Sequence, residues 1–278
     1  MRHETSSTVR VACLLLLGAA LAGCASSGDG PNYIPESKAT SNKQIDRNLR
    51  GAGKTKSEAA ALNVQLGQSY LSRGQLDLAM QKLQKAVALD PKSSDAHTVI
   101  AVLYEQIGNR SKAEEHYRMA YRLAPESGDT NNNLGRYLCN AGKLDESDPY
   151  FARALLDPFY RRPETALTNR AACADKAGNL ELAERSLRAA IERSPNFPEA
   201  LLMLSQLSLR SGDFLKARAF LERYLAQVPA DPAILVLGMQ IESKLGNARA
   251  EQGYRDRLLS EFPDSEQAST VVKGSMSP

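Results

Sequence analysis

Apolar residues along this chain fall in pairs of short runs. Each of the six pairs is divided by a glycine, and five of them are closed by a proline. The dividing glycines are Gly74, Gly108, Gly142, Gly178, Gly212 and Gly246, at spacings of 34, 34, 36, 34 and 34. The closing prolines are Pro91, Pro125, Pro195, Pro229 and Pro263, at spacings of 34, 70, 34 and 34. The long proline gap is two periods plus the same two-residue insertion, so the two series agree. A glycine ends a helix in a left-handed turn, and a proline stops the next one. The pattern therefore predicts six helical hairpins, at 60–93, 94–127, 128–161, 164–197, 198–231 and 232–265, within a domain spanning 58–265.

Within each predicted hairpin one face alternates small and large residues. In the first helix, Leu66, Ile100, Leu134 and Leu204 are followed by Gly67, Ala101, Gly135 and Ser205, and Ala171 holds the same small position. In the second helix, Ala79, Ala113, Ala183 and Ala217 align, as do Ala86, Ala120, Ala154 and Ala190. Between those two series stand Leu83, Tyr117, Phe151, Leu187 and Leu221. Small residues let neighbouring helices approach, and the large ones fill the groove between them. This period and pattern resemble the tetratricopeptide repeat (TPR), which implies an all-α fold: a right-handed superhelix of six helix-turn-helix repeats. The sixth repeat departs, with Met239, Glu251 and Leu258 at positions that are small elsewhere. It reads as a cap, and 266–278 reads as a disordered tail.

The chain begins differently. Arg2 and Arg10 flank a short polar segment, and an apolar run from Val11 to Ala22 follows. That run has the length of a secretory signal core and is too short to span a bilayer. It ends in Leu21-Ala22-Gly23-Cys24, a match to the bacterial lipobox, with residues 1–23 as signal peptide and Cys24 as the lipidated residue. Several acyl chains on Cys24 would make a stable anchor. Ala25 in place of Asp implies, by resemblance to lipoproteins generally, delivery to the outer membrane facing the periplasm. Residues 24–57 are rich in Ser, Gly, Asn, Lys and Pro and read as a flexible tether. Gly51-Ala52-Gly53-Lys54-Thr55 within it imitates part of a phosphate-binding loop, but the required earlier glycine is Asn48 and no buried strand precedes it.

Composition narrows the function classes. Of 278 residues, 42% are apolar and 24% charged, enough to build a core and too apolar for general disorder. Tryptophan is absent and aromatics are 6%, which suits close-packed helices. The net charge of +3 gives no field that argues for nucleic acid. His97 and His116 are the only histidines beyond the signal segment, and they lack metal-site spacing. No nucleophile elbow and no Cys–His dyad is present. The expectation is a non-enzyme with no cofactor, no metal and no small-molecule substrate.

Cys139 and Cys173 remain as the free cysteines of an oxidising compartment. Both fall late in first helices of neighbouring repeats, which can bring Cα atoms within bridging range. A disulfide there would contribute about 3–4 kcal/mol. Two separately buried thiols are the alternative, and the sequence leaves both open.

Partner-binding candidates fall in two places. Asp129, Asn132, Arg136 and Asn140 form a polar stripe on the first helix of the third repeat, the helix that lines the concave wall of a TPR array. Amides can pair with a peptide backbone and arginine with a carboxylate. Gln68, Gln106, Gln206 and Gln240 hold comparable positions. The second place is the insertion, Leu156-Asp157-Pro158-Phe159-Tyr160-Arg161-Arg162-Pro163. Tyr160 and Arg161 have the character of interface residues, while Phe159 reads as the plug of the enlarged gap between repeats.

Three segments carry a closer resemblance: Asn132-Asn133-Leu134-Gly135-Arg136-Tyr137-Leu138-Cys139, Asp157-Pro158-Phe159-Tyr160-Arg161 and Phe220-Leu221-Glu222-Arg223-Tyr224-Leu225. Together with the lipobox, tether and insertion, they resemble the PilW/PilF family of type IV pilus biogenesis lipoproteins. The resemblance implies a pilotin, a lipoprotein that binds pilus secretin subunits and promotes their outer-membrane localisation and oligomerisation. The other reading is a TPR adaptor for peptidoglycan enzymes or for outer-membrane protein assembly.

Overall fold

The structure, a computed structural model, describes residues 56–275. Cys24, the lipobox and Gly51–Thr55 lie outside the described residues, as does almost all of the segment read as a tether. Among the described residues there are thirteen helices and no strand. They are α1 (Lys56–Ser72), α2 (Leu76–Leu89), α3 (Ser94–Gln106), α4 (Arg110–Leu123), α5 (Gly128–Asn140), α6 (Leu144–Ala154), α7 (Pro163–Lys176), α8 (Leu180–Arg193), α9 (Pro198–Arg210), α10 (Phe214–Leu225), α11 (Pro232–Lys244), α12 (Ala248–Glu261) and α13 (Glu266–Ser275). The first twelve form six hairpins, each packed within itself and against the next.

Local chemistry explains the punctuation. The six periodic glycines all have φ between +68° and +84°, a region that costs other residues energy. The residue after the glycine often completes the turn as a helix cap. Asn109, Asn179 and Asn247 each accept a hydrogen bond from the backbone N–H three residues on.

The small–large pairing is the packing unit. A Cβ on Gly67 would lie 2.7 Å from Leu83 Cγ, and one on Gly135 would lie 3.1 Å from the Phe151 ring. Leu83, Phe151, Leu187 and Leu221 are accordingly almost fully buried. The sixth repeat keeps this device but shifts it by one residue. Gly238, not Met239, takes the close approach, with a Cβ there 2.6 Å from the Tyr254 ring. The sequence separation between small and large partner is the same as in the earlier repeats.

Met239 and Leu258 instead face the last helix. The expectation of a disordered tail from residue 266 is corrected here: α13 is helical, and Ala268 is buried against Leu235, Met239 and Leu258. The large residues of the sixth repeat are therefore the seat for α13. Glu242, buried on α11, is held by two guanidinium nitrogens of Arg218, Nε and Nη2, and by Asn247 Nδ2 at 3.0 Å. No helix among the described residues is long and apolar enough to cross a membrane.

Candidate protein-interaction site

The polar stripe on α5 knits the repeats together. The Arg136 guanidinium reaches back to α3 and donates to both Glu105 oxygens, at 3.1 and 2.9 Å. Tyr117 donates to Glu105 at 2.8 Å and accepts from Arg136 at 3.0 Å. Burial pushes the Glu105 carboxyl up, but the Arg136 fork and the Tyr117 hydroxyl outweigh it and hold its pKa below the usual range. Burial likewise raises the Tyr117 phenol. Asn132 is buried, and its amide oxygen accepts from Asn169 Nδ2 on α7 at 3.0 Å. Asn140 accepts from Lys176 at 3.3 Å, and Asp129 pairs with Arg162 at 2.6 Å. All four side chains of the stripe thus have an internal partner on a neighbouring element. Asp129 and Asn140 keep exposed surface, whereas Asn132 does not.

The insertion loop between α6 and α7 is built to present side chains outward. The Asp157 carboxylate accepts from Gly128 N–H at 2.7 Å and from Phe159 N–H at 2.8 Å. The Asp157 carbonyl accepts from Tyr160 N–H at 3.2 Å. Tyr160 is the plug, 8% exposed, with its ring against Gly128, where any Cβ would collide with it. Burial pushes the Tyr160 phenol up to about 12. Phe159 is 87% exposed and Leu156 80% exposed. The expectation for the two aromatics is therefore inverted: Tyr160 fills the gap and Phe159 faces solvent. The reason lies 32 residues upstream of Tyr160, in the space that Gly128 leaves at the start of α5. Arg161 is exposed and forms no ion pair or hydrogen bond among the described residues. The clue in the sequence was the glycine opening the third repeat.

Exposed apolar side chains on a loop with a fixed backbone are suited to protein recognition, because little conformational entropy remains to be lost on binding. Elsewhere, Gln206 and Gln240 line a cavity of about 540 Å³ on the inner face of α9 and α11, with α13 supplying Gln267 as a further wall. Gln68 lines a separate cavity of about 400 Å³ near the start of the array. Gln106 is exposed.

Cys139 and Cys173 are bridged by a disulfide between α5 and α7, with Cα atoms 5.7 Å apart. His97 and His116 stand close, with Nδ1 atoms 3.0 Å apart and rings stacked at 5.2 Å. Burial lowers both imidazole pKa values. Nitrogens at that distance share one proton in a neutral N–H···N bond.

Comparisons with known proteins agree with this architecture. Tetratricopeptide repeat models match residues 67–108, 94–127, 132–196 and 176–237. The crystal structure of PilW, described as a widely conserved type IV pilus biogenesis factor, superposes with a TM-score of 0.71. It is 32% identical and covers 77% of this chain and 98% of its own. The type IV pilus assembly protein PilF of Pseudomonas aeruginosa is 24% identical over 93% of this chain and 96% of its own length. A solved PilF structure from that species shares the fold, with a TM-score of 0.70 at 22% identity, and covers 79% of this chain and 99% of its own. The repeats, the hairpin order and a match that spans almost all of PilW place this chain in the PilW/PilF family of tetratricopeptide-repeat proteins of type IV pilus biogenesis.

Proposed function

We propose that this chain is a pilotin: a lipoprotein attached to the outer membrane through Cys24, facing the periplasm, that binds pilus secretin subunits and promotes their localisation and oligomerisation. The observation that carries the reading is the match to PilW, at 32% identity over 77% of this chain and 98% of the solved PilW chain. The lipobox at Leu21–Cys24 supplies the membrane address. The protein acts by holding a client rather than by catalysis, and it uses no cofactor and no nucleic acid. Joining a lipid anchor and a binding surface on one chain raises the local concentration of the client at the membrane. Leu156, Phe159 and Arg161 are the contact residues we assign first, since the α5 stripe is engaged within the fold.

The test is Cys24→Ala in cells that assemble pili. The repeat domain should remain folded and soluble, and secretin oligomers at the outer membrane should fall. Normal oligomer levels with the protein released from the membrane would refute the tethering mechanism.

A further inference from the structure

The Cys139–Cys173 bridge is buried, with Cys139 6% and Cys173 4% exposed, and the two cysteines differ in what they adjoin. A cavity of about 250 Å³ opens between α6, α7 and α8, and Cys173 lines it while Cys139 does not. Its lining includes Asp148 and Arg170 and the exposed Asp145 and Ala177. We propose that Cys173 is a thiol-exchange site, at which the thiolate of a small thiol that carries a cationic group elsewhere enters this cavity and opens the bridge in the folded protein.

The chemistry follows from the approach direction. A thiolate attacks a disulfide sulfur and expels the other sulfur as the leaving thiolate. Cys173 lines this cavity and Cys139 does not, so we assign Cys173 Sγ as the sulfur met from it. A bond forms between the incoming sulfur and Cys173 Sγ, the Cys173–Cys139 bond breaks, and its electron pair leaves on Cys139 Sγ. The product is a mixed disulfide on Cys173 and a free thiolate on Cys139. A second small thiolate then attacks the outer sulfur of the mixed disulfide; the bond to Cys173 Sγ breaks, its electron pair leaves on Cys173 Sγ, and the two small-thiol sulfurs depart joined as their own disulfide.

Two further observations fit this assignment. Ser147 Oγ is fully buried, donates to the Leu144 carbonyl at 2.7 Å and lies 3.0 Å from Cys173 Sγ. Its single proton is used on Leu144, so its lone pair faces the sulfur. A reduced Cys173 thiol would donate to that lone pair, and reduction leaves no orphaned polar group. The cavity charge selects the reagent. Arg170 is neutralised by the Asp148 carboxylate, at 2.6 and 3.0 Å, and Asp145 has no ion pair among the described residues. One net negative charge therefore faces the incoming thiolate, which favours a reagent carrying a cation elsewhere.

The experiment uses the full chain with Cys13→Ser and Cys24→Ser, so that only the bridge can react. It is incubated at neutral pH with cysteamine or with 2-mercaptoethanesulfonate, compared at equal thiolate. Freed thiols are trapped with an alkylating reagent, and peptides are mapped by mass spectrometry. The thiol adduct should sit on Cys173 and the alkyl group on Cys139, by about tenfold over the reverse. Cysteamine should react several-fold faster, and Asp145→Asn should shrink that preference. Ala177→Trp, which adds bulk to this lining from an exposed position, should slow the reaction about tenfold with the thermal midpoint unchanged. Adducts on Cys139 or divided evenly would overturn the assignment. So would a rate that Ala177→Trp leaves unchanged and that instead rises in step with urea-induced unfolding.

Discussion

Arg136 on α5 forks onto Glu105 on α3, and the distances of 3.1 and 2.9 Å make this a two-bond charge-assisted contact between consecutive repeats. The same guanidinium holds the Tyr117 hydroxyl. A residue whose spacing matched a binding wall is thus spent on the seam between repeats.

Arg136→Ala should therefore act on stability. It leaves Glu105 half-buried without its counter-ion, at a cost of about 1–3 kcal/mol. Arg136→Lys keeps the charge and loses the fork, so it should recover only part. Urea unfolding measures both. Client capture by the folded variants should stay within about twofold of the parent; a large loss of capture with full stability would make Arg136 a contact residue after all.

Phe159→Ala and Leu156→Ala should behave in the opposite way. Both side chains are exposed, so the thermal midpoint should barely move. If the loop is the anchor, client binding should weaken by about tenfold or more. Pull-down of secretin subunits with each variant is the measurement. Unchanged capture would move the site to the inner cavity at Gln206 and Gln240.

Gly128→Ala should destabilise by about 1–3 kcal/mol, because its Cβ meets the Tyr160 ring. Tyr160→Ala in the same chain should return part of that loss by removing the ring carbons that lie 2.4 and 2.8 Å from that Cβ. A double-mutant cycle with non-additive values of this sign checks the contact. Additive losses would show that Gly128 matters for another reason.

The His97–His116 pair gives stability a pH dependence. Burial lowers both folded-state pKa values, so the unfolded chain binds protons that the folded chain does not. Stability is then fully present above the ordinary imidazole pKa of about 6.5 and is lost as pH falls from there through the lowered folded-state values. Around the pair, Glu115 opposes this shift, while Arg122 near His97 and Lys112 near His116 reinforce it. The urea midpoint should decline from pH 7.5 to pH 5.5, and His97→Gln with His116→Gln should flatten that decline. An equal slope in the double variant would assign the effect to other groups.

The sequence determined the repeat architecture by itself. A TPR hairpin closes within its own 34 residues, so its signals are local: a glycine free to take positive φ, a cap beside it, and a small–large pair at fixed separation. Cys139 and Cys173 could be placed on neighbouring helices for the same reason, since one period separates them. Tertiary structure decided whatever depends on non-adjacent surfaces. The segment Glu266–Ser275, with its serines, threonine and paired valines, has weak helix propensity, and its place on Leu235, Met239 and Leu258 makes it part of the fold. Which of Phe159 and Tyr160 turns inward was set by the room at Gly128, on a different helix. Whether the α5 stripe faces a partner or a neighbour was likewise undecidable from spacing, because the same helical periodicity serves both. Glu105 and Asn169, one repeat away on either side, hold Arg136 and the Asn132 amide oxygen within the fold, while Asp129 and Asn140 keep exposed surface.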